Sequence, residues 1–83
     1  SEFEVLYSFL EKLPSVLKPG GKVAVLTFHS GEDRMVKKSF QALARQGIYR
    51  EVAKEGVRPS AQECFQNPRA KSTKMRWAIR AED

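Results

Sequence analysis

The sequence predicts an α/β domain whose elements alternate in the order α-β-α-β-α-β. Three observations carry that prediction. Apolar residues recur at helical spacing over 2–17. An apolar run, KVAVLTF, follows at 22–28 and leads straight into helix-start signals. Alternation of apolar and polar residues returns at 72–80, in STKMRWAIR. A chain of 83 residues makes one domain at most, and it buries only about 60% of its unfolded surface, so the core is modest.

The composition is globular rather than disordered, with 41% hydrophobic and 30% charged residues. No apolar run approaches the roughly 18 residues of a membrane span. The acidic, amphipathic start SEFEVLYSFLEKL lacks the basic opening of a signal peptide and the Arg-rich look of a transit peptide. The single cysteine, Cys64, excludes an internal disulfide and a cysteine-rich zinc site, and it fits a reducing compartment. Nothing around it marks a reactive thiolate, so it reads as a small buried hydrophobe.

Over 2–17, Phe3, Leu6, Leu10, Leu13 and Leu17 fall at steps of three and four, with Phe9 and Val16 widening the stripe. This predicts an amphipathic helix with a broad buried face. Pro14 kinks it or starts a new turn, and KPGG at 18–21 stops it. The strand at 22–29 does not alternate. That predicts a central strand covered on both faces, as in a parallel sheet. Ser30 stands as N-cap of a helix at 31–46, and Asp33 takes the capping-box place of Glu. Glu32 and Asp33 suit the helix dipole. Val36, Phe40 and Leu43 mark the buried face, flanked by Met35 and Ala44, and Gly47 is placed as C′.

A short strand at 48–53 follows from Ile48, Arg50 and Val52. A short helix at 60–66 follows from Ser60, Glu63 and the stop at Pro68. In the strand at 72–80, Met75, Trp77 and Ile79 face one way. Lys74, Arg76, Ala78 and Arg80 face the other, which predicts a half-buried strand with a basic exposed face. The first two strands and their helix make a parallel crossover unit. The last strand follows a short connection and can enter antiparallel, beside or between them.

His29, Ser30 and Asp33 suggest a catalytic triad. However, triads are assembled from separated elements, and no G-x-S-x-G elbow surrounds Ser30. Ser30 and Asp33 already have local work as caps. His29 differs, because it ends a strand where open α/β sheets place their ligands. The alternative is that it bonds only to nearby backbone. KPGG lacks Walker A spacing, and no G-x-G-x-x-G occurs.

The net charge of +5 favours an anionic partner, with RNA or DNA foremost, although many basic domains bind nothing anionic. Arg69, Lys71, Lys74, Arg76 and Arg80 form a run with no acid between them, suited to phosphates. Trp77 shares the parity of Met75 and Ile79, which favours a core role over base stacking.

Three segments together resemble one family. LKPGGKVAVLTFHSGEDRMVKKSF is similar to the late strand and helix of MraW/RsmH-type methyltransferases. RPSAQECFQNPRAKSTKMRWAIRA is similar to their C-terminal segment, and EFEVLYSFLEKLPSVL to the helix before these parts. LKPGG alone is common to many methyltransferases, whereas FHSGEDR with NPRAKSTKMR is specific. Gly31 departs from the family's usual leucine, and RWAIRA is the ending of a sub-branch.

The resemblance implies the C-terminal part of an S-adenosylmethionine-dependent enzyme that methylates cytosine N4 in small-subunit ribosomal RNA. It implies the three-stranded end of a class I, Rossmann-like sheet: two parallel strands with an inserted antiparallel strand, flanked by helices. His29 and Ser30 would lie at the rim of the substrate pocket, and the basic run along the RNA. Methyl transfer to the amino nitrogen would be an in-line displacement governed by positioning and removal of water, with His29 in positioning or a proton path. The cofactor-binding residues would lie upstream, which leaves this piece inactive alone. The partner would be ribosomal RNA or the small subunit, with no membrane. The compartment would be cytoplasm in a bacterium, plastid or mitochondrion in a eukaryote. Two other readings remain: a self-standing basic RNA-binding module, and a structural domain that exposes an apolar sheet edge without its upstream half.

Overall fold

The structure is a computed structural model that describes residues 2–56 and 73–82. Its elements are α1 (Glu2–Val16), β1 (Lys22–Thr27), α2 (Ser30–Arg45), β2 (Tyr49–Val52) and β3 (Lys74–Arg80). The helix expected at 60–66, with Ser60 and Cys64, lies outside the described residues, as do Arg69 and Lys71.

The three strands are ordered β1-β3-β2. β3 is antiparallel to each neighbour. β1 and β2 therefore run in one direction on either side of a reversed β3, and the described sheet contains antiparallel ladders only. Among the described strands the central place expected for β1 belongs to β3, and β1 lies at one side.

The ladder also fixes the faces. Val23 pairs with Ala78, Val25 with Arg76 and Thr27 with Lys74, and side chains paired this way share a face. That face meets the helices. Leu10, Leu13, Val36, Phe40, Tyr49 and Ala78 form the core, with Val23, Val25 and Val52 packed against it. The Phe40 and Tyr49 rings meet edge to face at 5.5 Å, worth about 0.5–1.5 kcal/mol beyond their burial.

Two expectations are corrected here. β1 is covered on one face only; Ala24 is exposed on the other, and Leu26 is 55% exposed. A uniformly apolar strand is dry on both sides only if something lies on both. In β3 the basic parity is the covered one: Arg76 and Ala78 are buried, whereas Met75, Trp77 and Ile79 are half-buried on the open side.

α1 also buries less than its stripe suggests. Leu10 and Leu13 are buried, but Phe3, Phe9 and Val16 are exposed. Pro14 sits inside the helix without ending it before Val16. The KPGG turn is joined to the end of β3. The Gly20 N–H donates to Arg80 O at 3.0 Å, and the Arg80 N–H donates to Gly21 O at 2.8 Å. Gly20 has φ +76°, open to glycine at little cost.

The end of α2 follows its sequence signal. Gly47 has φ +82°. Its N–H donates to Ala44 O at 3.0 Å, and the Ile48 N–H donates to Leu43 O at 2.9 Å. These two bonds make a Schellman motif. The start of α2 differs from expectation: the N-cap is His29, extended at φ −149°, with no side-chain capping bond, and Ser30 is the first helical residue. Strand boundaries are narrower than expected, yet Ala81 N–H to Ile48 O and Ala53 N–H to Trp77 O, both 2.9 Å, continue the pairing just beyond β2.

Candidate functional site at the carboxyl end of β1

β1 delivers Thr27, Phe28, His29 and Ser30 to the rim of the sheet, where α2 begins. Thr27 is buried, and its hydroxyl donates to Lys74 O at 3.4 Å. The Phe28 N–H donates to Glu32 Oε1 at 3.2 Å. Glu32, not Asp33, thus reaches back over the helix start.

His29 has a side chain 52% exposed, with Nε2 3.4 Å from Glu32 Oε1. Its ring meets Phe3 edge-on at 5.9 Å. Ser30 is exposed beside it. Gly31 lies in the first turn under Phe3, where an added Cβ would meet the ring at 3.1 Å.

Asp33 faces the other way. It is 6% exposed and is gripped by Arg76, with Nε to Oδ1 at 2.7 Å and Nη2 to Oδ2 at 3.1 Å. Lys74 Nζ stands 3.7 Å from Oδ2. The Arg76 hydrogen bonds hold the Asp33 carboxyl below its ordinary value against the opposing effect of burial, and the charges of Arg76 and Lys74 add to the lowering. His29, Ser30 and Asp33 are therefore not a triad, because the carboxylate beside His29 belongs to Glu32.

The basic residues expected at RNA are engaged inside the fold where they are described. Arg76 and Lys74 meet Asp33. Arg80 Nη1 donates to Pro14 O at 2.9 Å and Leu17 O at 3.3 Å, which satisfies carbonyls left over at the end of α1. Trp77 lies on the open face under Lys22 Nζ, 4.9 Å from the ring centroid, and is not in the core. The Asp33–Arg76 pair was missed by sequence reasoning. The signal available was Ala78, whose small side chain shares the parity of the basic residues and marks that face as the one a helix approaches.

A groove of about 710 Å³ runs between α1 and α2, lined by Tyr7, Leu10, Gly31, Arg34, Met35 and Lys38 among others. Among the described residues no three His, Cys, Asp or Glu side chains gather as metal ligands. No described helix is long and apolar enough to cross a membrane.

Comparison with known proteins fits this arrangement. The family model described as the MraW methylase family matches residues 1–81. Ribosomal RNA small subunit methyltransferase H 1 of Lachnoclostridium phytofermentans is 72% identical over 81 residues, 98% of this chain and 22% of the relative. The protein of the same name in Agathobacter rectalis is 67% identical over 81 residues, 98% of this chain and 23% of the relative. Ribosomal RNA small subunit methyltransferase H of Elusimicrobium minutum is 43% identical over 77 residues, 93% of this chain and 26% of the relative. The chain thus spans about a quarter or less of the length of these relatives. With a family match over almost every residue and bacterial relatives at such identity, the chain belongs to the MraW methylase family.

Proposed function

We propose that this chain is the C-terminal portion of the catalytic domain of an enzyme that methylates cytosine N4 in small-subunit ribosomal RNA with S-adenosylmethionine. The observation that carries the reading is the match of residues 1–81 to the methylase family. The strand order supports the finer fold. A reversed strand between two like-directed ones is the arrangement expected at the end of a class I methyltransferase sheet. That the relatives are bacterial supports a cytoplasmic reaction in this reading.

The described residues do not fit a cofactor site. The two carboxylates at the carboxyl end of β1 are already engaged, Glu32 by the Phe28 N–H and Asp33 by Arg76. The left-handed glycines, Gly20 and Gly47, serve the turns before β1 and after α2. In this reading the cofactor is held by the larger part of the protein. His29 and Ser30 form part of the pocket rim facing the base. Arg69 and Lys71 remain for phosphates, whereas Lys74 and Arg76 face Asp33 and Arg80 holds the end of α1.

The test is methyl transfer by the full-length protein that carries this segment. Small ribosomal subunits and radiolabelled S-adenosylmethionine should yield labelled N4-methylcytosine in the RNA, and the 83-residue chain alone should yield none. No label in RNA from the full-length protein would defeat the reading. So would tight binding of S-adenosylmethionine to the 83-residue chain, as regards the missing cofactor site.

A further inference from the structure

We propose that Asp33 and Arg76, with Lys74, are positioning residues: they fix where the turn between β1 and α2 presents His29 and Ser30. The proposal rests on the reading above, in which that turn is part of the pocket rim. The turn is fastened at both ends to one short stretch of β3. At its start the Thr27 hydroxyl holds Lys74 O. At its end the Asp33 carboxylate takes both prongs of Arg76 and faces Lys74.

Between these ends Phe28 and His29 are exposed. Their other described ties are to the helices: Glu32 to the Phe28 N–H and to the His29 ring, the Asp33 N–H to His29 O, and Phe3 of α1 against that ring. A two-pronged carboxylate–guanidinium bond fixes angle as well as distance. Here it joins the first turn of a helix to the middle strand of a sheet, so a change in it rotates or shifts the start of α2 and the rim with it. Displacement of a positioned group by about 1 Å can cost on the order of a hundredfold in rate.

The rival account makes Arg76 and Lys74 RNA contacts. Asp33→Asn separates the two, since it releases both cations without removing any. As RNA contacts they would then bind phosphate more tightly, with lower KM and a steeper loss of affinity with salt. As positioning residues they would leave KM and its salt dependence within about twofold of wild type, while kcat falls on the order of tenfold or more.

The experiment is steady-state methylation of small ribosomal subunits by the full-length protein, below the melting temperature of every variant. Arg76→Lys keeps the charge but loses the fork. It should lower kcat as Asp33→Asn does, and it carries the test if Asp33→Asn does not fold. The His29 ring signals, identified by their loss in His29→Gln, should move in both variants in NMR spectra. Folded variants with wild-type kcat, or a fall in KM in Asp33→Asn, overturn the proposal while leaving the functional reading intact. A wild-type protein with no methyl transfer overturns that reading, and this inference with it.

Discussion

The two faces of β3 invert the usual distribution of residues. The face against the helices carries Arg76, Ala78 and Arg80, and the face away from them carries Met75, Trp77 and Ile79. Charge is covered and apolar surface is left open. The covered charges persist because each has a partner: Asp33 for Arg76, and the carbonyls at the end of α1 for Arg80. Among the described residues, the open apolar side chains are paired across the sheet with Leu26, Ala24, Lys22 and Glu51, and the Lys22 ammonium lies over Trp77. What this teaches is that cover depends on where the helices lie and on pairing, not on hydropathy alone.

The comparison can be broken most strongly at Arg76. Arg76→Ala leaves Asp33 buried without its main partner and should cost about 3–5 kcal/mol of stability, read from urea unfolding. Changing both partners, Asp33→Leu with Arg76→Met, should cost much less than either single change, because the unpaired charge goes too. If the double variant loses the sum of the single losses, the covered charges act independently and the pairing account fails.

Acid should weaken the covered face alone. Asp33 has a lowered pKa in the folded chain, against 3.8 as its ordinary value. Just below 3.8 the unfolded chain takes up the proton while the folded chain still refuses it. Stability from the pair is therefore complete above that value and is lost as pH falls through the lowered one. Unfolding midpoints followed from neutral to acid pH should show this loss in wild type and not in Asp33→Asn.

Changes on the open face should be smaller. Met75→Ser should cost under about 1 kcal/mol in this chain, where the side chain stays half in water, and about 2 kcal/mol or more in the full-length protein if that face is covered there. Equal small losses in both would mean the face stays open. Lys22→Ala removes an exposed cation over Trp77 and should cost about 0.5 kcal/mol, checked by the same unfolding curves.

Much of the fold was legible because its signals are local. Gly47 closes α2 in the way its spacing predicts, and the alternation of β3 is visible without any partner. Alternation says that two faces differ; it does not say which one a helix will cover. Asp33 could be explained by its own helix, so nothing in its neighbourhood pointed to Arg76, 43 residues away. Ser30 looked like the cap because it has the right chemistry, yet the chain turns into the helix one residue earlier, at His29. Phe9 and Val16 suggested a wider buried face for α1 than the described elements provide. For the candidate site, the position of His29 followed from its strand end, whereas the tether behind it could be seen only in three dimensions.

The strand order also bears on how the molecule is made. β3 lies between β1 and β2 but is synthesised after both, so neither edge strand has a hydrogen-bonding neighbour in this sheet until residues 74–80 arrive. Helices form in well under a millisecond once their residues are free, whereas pairings distant in sequence form slowly. α1 and α2 can therefore be in place before β1 and β2 gain the ladders that β3 supplies. Insertion of β3 is then a late step for this part of the sheet, and until it occurs the sides of β1 and β2 that it will pair with are open to association.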